Sequence, residues 1–489
     1  MFPVVSLTLF LPLIGAALLV VLGGATSRTS HSIGIAASGL TLLGAVWMWI
    51  RGVEGSGFSQ VEEVEWIPSL GAAYRVGVDG ISLPLVLMTA ILFFVSLVYS
   101  AYISDRARSY VALFLLMETA CLGVFLSLDA ILFYVFFEVS LVGMYFIIAG
   151  WGYENRQRAA LTFFIYTLLG SLPLLLAILG LYLASDPNTF DMRVYIDSPP
   201  LTGVAAILTL IAMLVTFFVK TPVFPVHTWL PLAHTEAPTA GSVILAGVML
   251  KLGTYGLIRF ALQMTPDAFR QIAIVVAVFG VVSAIYGAFI ALGQSDLKRL
   301  VAYTSVNHMG YVVLGVAVAA AATDSSTQAL ALDGVTLQMI AHGFVTGALF
   351  LLVGMLQDRA HTRGIGDFGG LLRTLPILSW LFVLAAFASL GLPGLAHFPA
   401  EFQIFLGTLQ IYPAAIVVVL GLAVTAGLYL RAIGAVLLGT ANERWAGLKD
   451  LDRREIISVT PLLFLTLLLG VAPFLALDVI HATTSVLLP

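Results

Sequence analysis

Two lysines and two glutamates stand where almost nothing else is charged. Lys220 lies in FFVKTPVFPVHTWLP, Lys251 in AGVMLKLGTYG, Glu138 in FYVFFEVSLVGMYF and Glu401 in GLPGLAHFPAEF. Lysine itself is rare here, with four in the whole chain: Lys220, Lys251, Lys298 and Lys449. Histidines share the apolar setting: His308 in TSVNHMGY, His342 in MIAHGFV, and His227 and His234 beside Lys220. An ionisable side chain in an apolar run is costly. It generally faces a bundle interior or a wet cavity, and by default marks an ion or proton pathway.

The chemistry these residue types share is proton transfer. Burial favours an uncharged amine, whereas a nearby carboxylate favours the ammonium. A carboxylate that approaches and withdraws can thus make a buried lysine hold or release a proton. Moving one charge against 100 mV costs about 2.3 kcal/mol, equivalent to roughly 1.7 pH units. A Glu138–Lys220 pair could drive such a swing without covalent chemistry, and imidazoles, which titrate near neutrality, can bridge the distances between.

Blander readings stand beside this one. Glu138 and Lys220 could be a static buried ion pair, and Lys251 could snorkel. His308 and His342 could be satisfied packing residues. His397 and Glu236 could merely cap helices. Glu118 is equivocal, Asp129 reads as a cap, and Cys121 as packing. Lys298 and Arg299 read as charges at the cytoplasmic end of a span that satisfy its topology.

These residues need elements to hold them. The 489 residues are 60% hydrophobic and 10% charged, with mean hydropathy +1.05, far from a soluble domain. Apolar stretches of about 20 residues recur throughout, which predicts an all-α polytopic membrane protein. We read fourteen spans near 4–24, 31–50, 79–103, 109–127, 129–150, 157–184, 202–236, 238–262, 268–293, 297–321, 328–357, 374–410, 412–440 and 456–483. The N-terminal stretch lacks a basic segment and reads as a first span, not a signal. The longest connection, 51–78, is an acidic loop. The segment 441–455 carries mixed charge.

Charge tests the count. Loops after odd-numbered spans hold Arg28, Arg106, Arg108, Arg156, Arg158, Lys298, Arg299, Arg359, Arg363, Arg373, Arg444, Lys449, Arg453 and Arg454. Loops after even-numbered spans hold only Arg51, Arg75, Arg193 and Arg270. The positive-inside rule places the first set in the cytoplasm and both termini outside.

Two spans are too long. As one straight helix, 202–236 would reach roughly 50 Å against a hydrocarbon core of about 30 Å. It contains Pro222, Pro225 and Pro231; the stretch 374–410 contains Gly391, Pro393, Gly394 and Pro399. Proline removes an amide donor and breaks the carbonyl ladder, so spans 7 and 12 are predicted to be discontinuous. Their numbers differ by five, so they cross in opposite senses, as an inverted repeat would require. The expected division is 1–108 (spans 1–3), 109–262 (spans 4–8, first repeat), 263–440 (spans 9–13, second repeat) and 441–489 (loop and span 14).

Several function classes find no support. There is no Walker motif, no dinucleotide fingerprint after a strand and no nucleophile–base pair. A single cysteine excludes an internal disulfide and leaves thiolate metal or iron–sulfur ligation unsupported. No cofactor, metal or nucleic acid is expected on this chain, and nothing specific indicates a quinone site.

Across spans 3–13 the chain resembles the antiporter-like proton-translocating subunits of respiratory complex I, kin to subunits of multisubunit sodium/proton antiporters and membrane-bound hydrogenases. The resemblance rests on VDGIS (78–82), FYVFFEVSLVGMYF (133–146), KTPVFPVHTWLPLAHTEAPTAGSVILAGVMLKLGTYG (220–256), SDLKRLVAYTSVNHMG (295–310) and GLPGLAHFPAEF (391–402). At the position of Glu401 most branches of this family carry lysine; one branch carries glutamate, as here. The resemblance implies that Glu138 and Lys220 are a coupled pair, Lys251 a central relay and Glu401 the exit-side group. His234, His308 and His342 match the hydrated polar axis. It implies a subunit of a proton-translocating NADH:quinone oxidoreductase in the bacterial cytoplasmic membrane, with homologous antiporter-like subunits as neighbours. Flavin, iron–sulfur clusters and quinone would belong to other subunits. A cation/proton antiporter or membrane-hydrogenase subunit is the alternative.

Overall fold

The computed structural model describes residues 3–55 and 57–488. Apolar sequence becomes fourteen crossings. They are Val4–Val21, Ser27–Arg51, Ser82–Tyr102, Ala107–Leu126, Ala130–Trp151, Arg156–Ala184, a seventh in two pieces (Gly203–Lys220 and Trp229–Glu236), Thr239–Leu262, Pro266–Leu292, Leu297–Ala321, Ser325–Ala360, a twelfth in two pieces (Pro376–Ser389 and His397–Ile411), Pro413–Val436 and Arg453–Val471. Acidic side chains start several of them. Asp129, Asp296 and Asp324 each accept the amide of a residue two or three positions on. Asp452 and Glu455 form a reciprocal capping box, and such caps contribute about 1 kcal/mol each.

Alternate loops share an end, as the charge count predicted. At the basic end, Ser27 Oγ donates to Ile103 O, the Trp151 indole to Asp105 O, the Tyr153 amide to Glu236 O, and Arg363 pairs with Asp296 at 3.0 Å. At the opposite end, Arg75 pairs with Asp129 at 2.9 Å, and the Gly80 amide donates to Thr483 Oγ1 at 2.9 Å. The N-terminal helix is tied there too, its Val5 and Ser6 amides donating to the Glu62 carboxylate.

Two local features depart from the sequence reading. The 51–78 connection is not a plain loop: it holds an antiparallel hairpin of β1 (Ser59–Ile67) and β2 (Ala72–Val78). Valines interleaved with glutamates in β1 give a two-sided strand, and β2 buries Val76 and Val78. Span 14 ends at Val471, and a separate helix, Phe474–Thr484, follows Pro473, which cannot continue a carbonyl ladder. The segment 441–455 carries one short 3-10 turn, Glu443–Trp445, and its last three residues already belong to span 14.

Burial is graded. Span 8 is buried along its whole length and spans 10 and 11 along nearly all of theirs, while spans 1, 2, 6 and 13 expose leucine and valine faces. Lipid is as apolar as leucine, so helices associate in it through close packing and polar contacts. Spans 9 and 10 approach closely on glycine. A Cβ on Gly280 would lie 2.7 Å from the Leu314 nitrogen, and one on Gly310 2.5 Å from that of Ala284. The buried spans 8, 10 and 11 carry Lys251, Lys298, His308 and His342.

Candidate functional site

The first break, residues 221–228, follows Lys220 and contains Pro222 and Pro225. Groups freed by the break find partners. The Trp229 indole donates to Val219 O at 2.9 Å, and the Phe224 amide to Ser283 Oγ at 2.9 Å. Lys220 is buried, with its ammonium 4.7 Å from the centre of the Phe137 ring. Glu138 follows Phe137 on span 5 and is half-buried; its polar neighbours are Ser171, Tyr134 and Lys220. One carboxylate oxygen, Oε1, is buried without a hydrogen-bond partner. The two charges lie within electrostatic range, yet among the described residues they form no ion pair within 4.0 Å. Gly253 of span 8 packs on this break, and a Cβ there would fall 2.5 Å from Thr221 Oγ1 and 3.0 Å from Lys220 Cβ.

Lys251 sits deep in span 8, which carries two π segments, Leu245–Met249 and Leu257–Leu262. Such wide turns are uncommon and recur at functional sites. The Lys251 ammonium donates to Ala246 O at 2.5 Å, and its nitrogen lies 2.6 Å from His342 Nδ1. Beyond His342, the His308 ring centre lies 5.6 Å away and the His397 ring centre 6.2 Å away. His308 and His397 stack on each other at 4.5 Å.

The second break, residues 390–396, brings Glu401 to the far side of these rings. His308 Nδ1 lies 3.2 Å from Glu401 Oε1, and its Nε2 lies 3.2 Å from Ser389 Oγ. The Gln338 amide also donates to Glu401 Oε1, at 3.2 Å. Gly391 leaves the space: at φ +77°, a Cβ there would meet Glu401 Oε2 at 2.6 Å. Lys251, His342, His308, His397 and Glu401 thus form one buried polar line that crosses spans 8, 11, 10 and 12. His308, His397 and Glu401 each offer a ligand atom within 4.8 Å of the others, a grouping suited to a metal ion. In this structure their polar atoms engage one another, Ser389, Gln338 and the Ala388 carbonyl.

The other expected residues stand apart. His234 is buried and stacks on Phe350 at 4.6 Å, with neither ring nitrogen bonded. It lies in the electrostatic range of both Lys251 and Lys298. His227 packs among Phe224, Tyr286 and Tyr303 at the first break.

Some residues changed standing. His397 is more than a helix cap; four positions before Glu401, it shares that residue's helix face, a spacing visible in the sequence. Lys298 stands at the basic end of span 10, as expected, but does more than set topology. Arg299 is exposed, but Lys298 is buried, donates to Ala237 O at 3.1 Å and lies 4.6 Å from the Tyr153 ring centre. Glu118 is buried and accepts from Ser38 Oγ at 2.8 Å. Arg259 drew no notice in the sequence. It forms a buried ion pair with Asp79 and also donates to Gln263 Oε1 at 3.0 Å.

This geometry sits in a recognisable family. Residues 127–426 match the family model described as NADH:quinone oxidoreductase/Mrp antiporter, TM, and the chain belongs to that family of membrane subunits. Among individual relatives, it is similar to NADH-quinone oxidoreductase subunit M of Rickettsia prowazekii, at 37% identity over 99% of both chains. It is equally similar to F(420)H(2) dehydrogenase subunit M of Methanosarcina mazei, at 37% identity over 98% of this chain and 96% of that one. Of solved structures, a chain of respiratory complex I from Thermus thermophilus with bound NADH matches with TM-score 0.89 and 31% identity, over 99% of this chain and all of that one. A chain of the Mrp complex from Dietzia sp. DQ12-45-1b shares the fold at 22% identity, with TM-score 0.86 over 99% of this chain and 97% of that one.

Proposed function

We propose that this chain is a proton-translocating membrane-arm subunit of a type I NADH:quinone oxidoreductase. The observation that carries this reading is the buried polar line in which the Lys251 amine meets His342, the His308 ring follows with its centre 5.6 Å from that of His342, and His308, stacked on His397, meets the Glu401 carboxylate. A line of groups that both bind and release protons, held in the driest part of a membrane protein, serves to pass protons and little else.

Glu138 and Lys220 form the coupled switch of the first half of the path. They are close enough to feel each other and far enough apart to change their distance. Lys251 relays, and Glu401 hands the proton on. The basic end of the bundle faces the cytoplasm and both termini lie outside, in a bacterial cytoplasmic membrane. Spans 4–8 (109–262) and 9–13 (263–440) act as two inverted halves, each with one broken helix at its centre. Flavin, iron–sulfur clusters and quinone are bound by other subunits, and homologous antiporter-like subunits are the neighbours. Electron transfer takes place among those partners and drives this chain through them.

The test uses the assembled complex in inverted membrane vesicles. Glu138→Ala, Lys220→Ala and Lys251→Met should each abolish proton pumping, while the complex still forms and still oxidises NADH with an artificial acceptor. Normal pumping in these variants with quinone reduction intact would overturn the reading. A cation antiporter would instead show sodium-dependent transport without any redox partner.

A further inference from the structure

We infer that Lys298 is the proton-uptake group of this subunit, carrying protons from a polar cavity at the basic end to His234 and so to Lys251. The inference rests on the proton-translocating function proposed above. The cavity encloses ≈ 410 Å³ and is lined by Tyr153, Glu154, Glu236, Asp296, His361 and Arg363, among others. Glu154 and His361 are exposed, so it opens to water. Carboxylates at such a mouth concentrate cations, protons included.

Tyr153 is the floor. The Lys298 ammonium lies 4.6 Å from its ring centre and the Arg363 guanidinium 5.6 Å. Lys298 is fully buried, and Glu236, Asp296, Asp358 and Arg363 are the charges within its electrostatic range. Of its three N–H groups, one has a protein acceptor among the described residues, the carbonyl of Ala237 at 3.1 Å. Ala237 is the C-cap of helix Trp229–Glu236, which carries His234 three residues earlier. Lys298 therefore holds the end of the helix that bears His234, and His234 lies within the electrostatic range of both Lys298 and Lys251. Both ring nitrogens of His234 are buried without partners, so one is free to accept a proton and the other to give one up.

The transfer balances without a co-reactant. Hydronium in the cavity gives a proton to the Lys298 amine, leaving water and an ammonium. Across a bridging water, the ammonium passes that proton to one His234 nitrogen and becomes an amine again. His234 releases a proton from its other nitrogen toward Lys251. A merely structural Lys298 would pin the helix end with a fixed charge, as cations at helix C-termini do.

Lys298→Arg separates the two roles in the assembled complex. Arginine keeps the charge and the donors that reach Ala237 O and the Tyr153 ring, but it does not give up its proton. Lys298→Arg complex in inverted vesicles should oxidise NADH with an artificial acceptor at the normal rate and lose proton pumping. Lys298→Ala should also lose pumping and regain it when methylammonium is supplied to fill the vacated space. Normal pumping by the arginine variant would overturn the proposal, as would an assembled alanine variant that methylammonium leaves unchanged. If Lys298→Ala does not assemble, the arginine variant decides alone; if the arginine variant does not assemble, methylammonium rescue of the alanine variant decides. Lys251→Met serves as the companion. Pumping lost there but retained in Lys298→Arg would remove only the uptake assignment, whereas pumping retained in Lys251→Met would remove the function itself.

Discussion

Removing His342 should sever the polar line at its narrowest link. The Lys251 amine has two partners, the Ala246 carbonyl at 2.5 Å and His342 Nδ1 at 2.6 Å, and only His342 leads onward. Proton transfer needs heavy atoms within about 2.6–3.2 Å of each other, or one bridging water. In His342→Ala the Lys251 amine keeps only the Ala246 carbonyl among its two hydrogen-bond partners, and that carbonyl cannot carry a proton onward. A hydrogen bond to a charged group contributes about 1.5–3 kcal/mol, so its loss should slow the transfer by roughly tenfold to a hundredfold or more. The assay is NADH-driven acidification of inverted vesicles, normalised to NADH oxidation with an artificial acceptor in the same preparation. Groups that act as one unit are non-additive, so His308→Ala/His342→Ala should pump no less than the weaker of its two single variants. Normal pumping in His342→Ala, or losses that multiply in the double variant, would refute the reasoning.

Two further outcomes follow from packing. Gly253→Ala would set a methyl 2.5 Å from Thr221 Oγ1 and 3.0 Å from Lys220 Cβ. Overpacking of this kind costs about 1–3 kcal/mol and here falls on the first break, so pumping should drop in assembled complex; unchanged pumping would show that the break yields freely. Asp79 and Arg259 are 2% and 1% exposed. Asp79→Ala should destabilise the subunit by about 3–5 kcal/mol by stranding a buried cation. Asp79→Ala/Arg259→Met should recover much of this, read as survival of the complex on heating in detergent, and a double variant weaker than the single one would contradict the pairing.

How much of this was legible beforehand depended on what kind of information each feature uses. The crossings and their parity follow from apolar length and arginine placement, both local properties. Both broken helices follow from Pro222, Pro225, Gly391 and Gly394, whose backbone effects need no tertiary context. Glu401, Lys251, His308 and His342 stand out because charge or imidazole in lipid is expensive wherever it occurs. Burial of Lys298 was hidden because it depends on helix rotation: Arg299 next to it projects to solvent and supplies the charge signature of a helix end. Arg259 passed unnoticed for a related reason, since its partner Asp79 lies 180 positions away. The hairpin at 59–78 was obscured by its glutamates, and the π segments of span 8 differ from α-helix only in hydrogen-bond register. His397 was the avoidable miss, because its four-residue offset from Glu401 was in plain view.

The resting place of Lys220 has a consequence for how fast the subunit can turn over. Its cation lies 4.7 Å from the Phe137 ring centre instead of clamped to Glu138. Such a contact is worth about 0.5–2 kcal/mol, less than the roughly 4 kcal/mol that a carboxylate at about 4 Å supplies at an effective dielectric constant of about 20. The aromatic face is therefore a shallow detent. It is deep enough to keep the arm cocked between strokes and weak enough for an approaching Glu138 carboxylate to draw the charge out of it.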